Sequence, residues 1–171
     1  MNRLIAAAAV LSLSAVAFAQ KETIDGIRNF TKVDATVACA GSTEPSAMAT
    51  LAQRGYKTVI NLRESSETGA LVDESSKAAE AAGMRYVHLP FNSSKPDDAV
   101  VDRFLAAVKD PGNQPVFIHC ASGSRVGALW LTKRMLVDGW PEDKATAEAV
   151  LIGLSSPTLK QFALDYVARH K

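Results

Sequence analysis

The stretch Pro115 to Gly127, PVFIHCASGSRVG, sets a run of strand-forming apolar residues directly before a cysteine, a small polar loop and an arginine. Pro115 to His119 reads as a buried strand and Arg125 to Asp138 as a helix, so Ala121 to Ser124 must turn the chain between them. Gly123 permits the positive φ that such a tight loop requires. The backbone N–H groups of residues 121 to 126 then converge on one point, reinforced by the positive end of the helix. Cys120 stands at the strand end facing that point, in surroundings that favour a thiolate over a thiol. Arg125 adds a planar two-donor fork suited to a tetrahedral oxyanion. A cysteine without these neighbours reads as a buried structural residue; with them it reads as a nucleophile beside an anion site.

Outward from this stretch, further strand-like runs occur at Ala35 to Ala40, Lys57 to Leu62 (KTVINL) and Arg85 to Leu89 (RYVHL), with helical stretches between them. The alternation predicts an α/β fold, a mostly parallel central sheet of four or five strands with helices on both faces. A first helix is expected from Thr43, as its cap, to Gly55, and a second from Ser75 to Ala82, stopped by Gly83. Pro96 opens a third, with Val100, Val101, Phe104, Leu105 and Val108 as its apolar stripe. The helix after the cysteine loop is apolar around much of its circumference and should be central, with Gly139 closing it. Two more follow, one from Trp140-Pro141-Glu142-Asp143 and one from Ser155 or Ser156 and Pro157 to Ala168. Trp130 and Trp140 are read as core or core edge, and Thr31 to Asp34 and Glu64 to Gly69 as loops. Ligands of open α/β sheets bind beyond the carboxyl ends of the strands. Cys120, Pro90-Phe91-Asn92 and Asn61-Leu62-Arg63 all fall at such ends and are expected to surround one pocket.

Arg3 followed by the unbroken run Leu4 to Ala19, closing in Ala17-Phe18-Ala19, has the pattern of a secretory signal peptide cleaved after Ala19. The run is too short for a membrane anchor. The expectation is a secreted or periplasmic protein, free of the membrane after cleavage. Removing 19 of the 171 residues leaves 152, residues 20–171, enough for one domain around one core. Without Arg3, 18 basic residues balance 18 acidic ones, and no basic stripe argues for nucleic acid or a membrane surface. Cys39 and Cys120 are the only cysteines, too few for a disulfide scaffold; whether they pair with each other is left open. His88, His119 and His170 lack metal-ligand spacing, so neither metal nor other cofactor is expected.

Three segments in order, Gly55 to Arg63 (GYKTVINLR), Gly83 to Pro90 (GMRYVHLP) and HCASGSRVGALW, resemble the cysteine-dependent phosphatases of the dual-specificity and tyrosine-phosphatase type. The resemblance is strongest to their beta-lactamase hydrolase-like, phosphatase-like branch (DUF442) and spans roughly Asn29 to Leu154. It implies a phosphomonoesterase; aryl phosphates or phosphotyrosine are favoured because their good leaving groups suffer least where an acid is lacking, as at Asn92. Cys120 would attack phosphorus, a phosphocysteine would form, and water would release phosphate. Arg125 and the amides of Ala121, Ser122, Gly123, Ser124 and Val126 would hold the equatorial oxygens. His119 would order the loop by hydrogen bonding.

The chain departs from the family pattern in three places. Four residues rather than five separate Cys120 from Arg125, Val126 stands where Ser or Thr usually assists turnover, and Asn92 stands where the family places an aspartate acid. Asn92 is then a substrate contact, and Asp97 or Asp98 is the candidate acid, although both also suit the first turn of the Pro96 helix. Two rival functions use the same residues. A six-residue cysteine loop also suits a rhodanese-type sulfurtransferase carrying a Cys120 persulfide. The amides and Arg125 also suit a non-catalytic binder of phosphate or phosphoprotein.

Overall fold

The computed structural model describes residues 19–171, so the leader inferred for residues 1–19 lies outside the described residues but for its last. Six strands form one mixed sheet: β1 (Gln20–Lys21), β2 (Thr31–Lys32), β3 (Val37–Ala40), β4 (Thr58–Asn61), β5 (Arg85–His88) and β6 (Val116–His119). Their spatial order is β1-β2-β3-β6-β4-β5. The last four in that order are mutually parallel, and β1 and β2 join as an antiparallel edge. The four parallel strands are the four read from the sequence. The edge strands raise the count above four or five and place a strand at Thr31–Lys32, where a loop is expected. At two residues each they are too short to show an alternating pattern.

Among the described residues, six α-helices cover the sheet: α1 (Met48–Gln53), α2 (Val72–Ala81), α3 (Asp98–Lys109), α4 (Ser124–Leu136), α5 (Glu142–Ile152) and α6 (Pro157–His170). Side chains alternate across β6. Val116, Ile118 and Cys120 join the core beneath α3 to α6, and Phe117 joins the one beneath α1 and α2. Burial on both faces explains why β3, β4 and β6 read as continuous apolar runs.

Two helix starts differ from expectation. Thr43 does not cap the first helix; its hydroxyl donates to the Gly41 carbonyl, and Pro45 instead opens a 3-10 turn, Pro45–Ala47, that leads into α1. The second helix begins at Val72 rather than Ser75, after Leu71 in a left-handed conformation (φ 43°). Ser156 caps α6 through Leu159 N–H (3.2 Å), as its position suggests. Trp130 is fully buried; Trp140, at the edge, stacks beneath the Arg134 guanidinium.

Candidate active site

β6 ends at His119, and the chain turns through Cys120 to Gly123 before α4 begins at Ser124. Gly123 has φ 101°, and a Cβ there would sit 2.5 Å from the Ile152 carbonyl oxygen, so glycine is required both by conformation and by space. The Gly123 N–H donates to Cys120 Sγ (3.1 Å). The Ser124 N–H is taken by Ser122 Oγ (3.3 Å). Among the described residues, the N–H groups of Ala121, Ser122, Arg125 and Val126 make no hydrogen bond. Two of these four belong to the first turn of α4, whose N–H groups have no intrahelical partner.

The loop is fastened from outside by residues that no local pattern singles out. The Ala121 carbonyl accepts from Ser42 N–H (2.9 Å), and Asn29, itself at φ 57°, donates to the carbonyls of Ser122 (3.3 Å) and Ile152 (2.7 Å). Ser124 Oγ accepts from the N–H groups of Ser155 (3.1 Å) and Ser156 (3.3 Å), so its hydroxyl secures the α5–α6 connection rather than lining the anion site. Val126 is fully buried in the core, and only its N–H is available to a ligand.

Arg125 is itself buried, and its guanidinium is held on one side. Nη1 donates to the carbonyls of Leu62 (3.1 Å) and Phe91 (3.1 Å) and to Glu67 Oε1 (2.5 Å), while Nη2 donates to Glu67 Oε2 (2.8 Å). Arg125 Nε makes no bond among the described residues, which leaves an Nε/Nη2 edge with two donors. Burial opposes the charge of Arg125, but Glu67 and the adjacent Cys120 outweigh it and raise its pKa. Burial likewise opposes ionisation of Glu67, yet hydrogen bonds from Arg125, the Glu64 N–H and Arg63 hold its carboxyl at about 2.

The elements carrying the sequence resemblance build this arrangement. Asn61 Oδ1 accepts the Arg63 N–H (2.9 Å) and its amide donates to Tyr86 Oη (2.7 Å), fixing the exit of β4. His88 Nε2 donates to the Arg63 carbonyl (2.7 Å). Arg63 then binds the carbonyls of Thr68 (2.7 Å) and Gly69 (2.6 Å) and Glu67 Oε2 (3.2 Å), folding residues 64–69 back so that Glu67 meets Arg125. Glu67 is the functional residue that sequence reasoning misses. Its spacing of four from Arg63 is visible, but its pairing with Arg125 crosses 58 residues.

Other expectations need correction. Neither ring nitrogen of His119 has a hydrogen-bond partner among the described residues; the buried ring stacks on Phe117 (5.8 Å between centroids) and orders the loop by packing, not by hydrogen bonding. Burial, aided by Arg63 and Arg125, pushes its pKa down to about 3 and keeps it neutral. Asp97 Oδ1 accepts the Ala99 N–H (2.9 Å) as the cap of α3. Asp98 pairs with Arg169 of α6 (2.9 Å). Both candidate acids thus serve the helix-end roles their positions also suit, and no hydrogen bond links either to the loop. Asn92 closes a turn, its Oδ1 accepting from Ser94 (2.8 Å) and Lys95 (3.0 Å), and its amide donates to Glu64 Oε1 (3.1 Å).

Cys39 and Cys120 are both free thiols and both fully buried. Cys39 faces Ile118 across the β3–β6 pair, two residues from Cys120. Strand spacing and rise put their Cα atoms roughly 8 Å apart, beyond the approximately 4.4 to 6.8 Å that a bridge spans. Burial raises the Cys39 pKa well above that of an ordinary thiol.

Comparison with known proteins agrees with this architecture. A curated beta-lactamase hydrolase-like protein of Xylella fastidiosa (strain Temecula1) is 26% identical over 119 residues, covering 67% of this chain and 27% of that protein. The chain therefore spans about a quarter of that relative's length. In fold, a DUF442 protein from Shewanella putrefaciens CN-32 superposes with a TM-score of 0.71 at 24% identity, covering 85% of this chain and 95% of the other. Pseudomonas aeruginosa TpbA gives a TM-score of 0.68 at 23% identity, covering 92% of each chain, and a cysteine-to-serine variant of it has been solved in complex with phosphotyrosine. The family profile described as "Beta-lactamase hydrolase-like protein, phosphatase-like domain" matches residues 28–136, and the chain belongs to that family.

Proposed function

We propose that this chain is an exported cysteine-dependent phosphatase that hydrolyses phosphomonoesters, aryl phosphates or phosphotyrosine by preference. The observation that carries the reading is the clamped Arg125, with one two-donor edge left over beside Cys120 and four loop N–H groups without an internal partner. A phosphoryl group presents three equatorial oxygens, and these donors are of the number and kind to bind them. The Cys120 thiolate attacks phosphorus in line; the S–P bond forms as the bond to the ester oxygen breaks. Water then displaces the sulfur and frees phosphate. The phosphotyrosine complex of the structurally similar TpbA supports the preference for an aryl ester. The run Leu4 to Ala19 after Arg3 supports export.

A second reading, phosphate binding without turnover, is favoured by the complete burial of Cys120 (0% exposed) and the buried Val126 beside Arg125. Comparison of wild type with Cys120→Ser separates the two. On the phosphatase reading, wild type hydrolyses p-nitrophenyl phosphate, and the variant loses hydrolysis while still binding vanadate. Vanadate binding by a wild type that hydrolyses nothing would establish the binder instead. Thiocyanate formation from thiosulfate and cyanide, lost in the variant, would turn the assignment to a sulfurtransferase.

A further inference from the structure

Residues 26–28 and 42–44 lie side by side as an antiparallel bridge, with Ile27 opposite Thr43. The Arg28 N–H donates to the Ser42 carbonyl (2.8 Å) and the Glu44 N–H to the Gly26 carbonyl (2.8 Å). Side chains alternate across such a pair, so Ile27 and Thr43 share one face and are buried, while Arg28 and Glu44 share the other and are exposed. On that face they are diagonal neighbours, roughly 7 to 8 Å apart. Gly26, opposite Glu44, adds no side chain to it. Their charges are opposite, yet they do not pair. Among the described residues the Arg28 guanidinium makes no bond, and the Glu44 carboxylate has one, from Ser46 Oγ (3.3 Å).

Both residues line a cavity of about 450 Å³ that also takes in Leu71 and Ala121, the residue after Cys120. Its volume is that of a small-molecule site. The Ser42 N–H donates to the Ala121 carbonyl (2.9 Å) and the Ser42 carbonyl accepts from Arg28, so the backbones at 121, 42 and 28 stand in a row two chain spacings wide, roughly 9 to 10 Å. Gly41 keeps the row tight: a Cβ on it would meet the Ala121 carbonyl oxygen at 3.1 Å and the Arg28 carbonyl oxygen at 3.2 Å. Leu71 supplies the apolar part of the lining. It is left-handed (φ 43°), a conformation its Cβ disfavours, and its side chain is 47% exposed. A strained backbone that holds an apolar side chain out of the core and in a cavity beside the nucleophile loop points to a ligand contact.

We propose that this cavity holds the organic part of the ester and selects a zwitterion, with Arg28 taking a carboxylate, Glu44 an ammonium group and Leu71 an aromatic ring. The substrate class is a phosphorylated aromatic amino acid in its free form, of which O-phosphotyrosine is the simplest member. The assignment rests on phosphoryl transfer at Cys120. With the phosphoryl group on the loop amides and Arg125, the ring and the methylene of tyrosine reach across the row from Ala121 towards Arg28. The α-carboxylate and α-ammonium groups, carried on one carbon, then lie between the guanidinium and the Glu44 carboxylate. A phosphotyrosine inside a protein has neither charge, because both groups are amides there.

The test uses esters of closely similar phenols, so that leaving-group chemistry is held constant: phenyl phosphate, 4-(2-carboxyethyl)phenyl phosphate, 4-(2-aminoethyl)phenyl phosphate, O-phospho-L-tyrosine and N-acetyl-O-phospho-L-tyrosinamide. The quantity read is kcat/KM for each ester relative to phenyl phosphate in the same protein. Wild type should favour O-phospho-L-tyrosine roughly tenfold or more, and the blocked amide by less than about twofold. Arg28→Ala should remove most of the advantage of O-phospho-L-tyrosine and of the carboxyethyl ester, and keep that of the aminoethyl ester. Glu44→Gln should do the reverse, acting on the two esters that carry an ammonium group. Arg28→Lys, which keeps the charge, should retain part of the preference that Arg28→Ala loses. No preference for O-phospho-L-tyrosine in wild type, a blocked amide preferred to the free amino acid, or wild-type ratios in either Arg28→Ala or Glu44→Gln would overturn the zwitterion site. If hydrolysis still required Cys120, the phosphatase reading would stand. Absence of Cys120-dependent hydrolysis in wild type would remove both.

Discussion

Replacing Glu67 by Gln removes the carboxylate that grips Arg125 while keeping its size, and the pH dependence of its effect can be worked from the structure. In the fold, Arg125, the Glu64 N–H and Arg63 hold Glu67 at about 2 against an ordinary 4.5. A difference of this size corresponds to about 3 kcal/mol before solvent screening of this partly exposed carboxylate, and to about 1 to 2 kcal/mol after it. Because the folded value is the lower one, the unfolded chain binds the extra proton. The stabilisation is therefore complete above the unfolded value and is lost as pH falls from about 5 towards 2. Denaturant unfolding of both proteins from pH 7 down to pH 2.5 should show wild type more stable by about 1 to 2 kcal/mol at pH 7. The gap should shrink by most of that amount at the acid end. The variant should also lose anion affinity, since Arg125 would face a neutral amide with one accepting oxygen in place of the carboxylate, beside its two carbonyl contacts. A stability gap that stays constant across this range, or no gap at pH 7, would refute the account of Glu67 as the ionised anchor of Arg125.

Three further outcomes are expected. Gly123→Ala should cost more than about 2 kcal/mol and abolish vanadate binding, because the residue sits at φ 101° and the new Cβ would press on the Ile152 carbonyl; equilibrium unfolding and titration would show it. Arg134→Ala should cost about 3 kcal/mol by denaturant unfolding, since Arg134 pairs with Glu148 (2.6 Å) and Asp138 (2.7 Å) and stacks on Trp140. Cys39 should resist alkylation in the native state and react only on unfolding, and intact mass under non-reducing conditions should show no loss of two hydrogens to a Cys39–Cys120 bridge.

The parallel core was legible because β3, β4 and β6 are short, largely apolar runs bounded by glycine, proline or polar residues, and the edge strand β5 repeats the spacing. Lys57 to Leu62 and Pro115 to His119 bury both faces and so carry the pattern without interruption. The two-residue edge strands carry no such signal; their pairing depends on Ile24, Ile27 and Phe30 packing beneath the sheet, which is tertiary information. Thr43 had the chemistry of a cap but is drawn to Gly41 and bridged to Ile27, so Pro45 opens the helix instead. The cysteine loop itself was legible since strand, glycine, arginine and helix are contiguous. What fastens it was not: Asn29, Ser42 and Glu67 lie 93, 79 and 58 residues from their partners in Ser122, Ala121 and Arg125.

That division bears on how a loop with only four residues between Cys120 and Arg125 keeps its shape. A loop can hold its N–H groups in one orientation by its own turns or by bonds from outside, and here the outside bonds are many. Asn29 and Ser42 take its carbonyls, Ile152 blocks any widening at Gly123, and Ser124 is locked to the start of α6. The arginine is gripped from the far side by one carboxylate and two carbonyls. Donors fixed in this way require little reorganisation when charge develops on an anion, which is the property that electrostatic stabilisation demands. The same fixity gives the loop itself little means of adapting to one ester over another. On the proposed chemistry, the choice of substrate must then lie in what stands around the loop, such as the cavity formed by Arg28, Thr43, Glu44 and Leu71 beside Ala121.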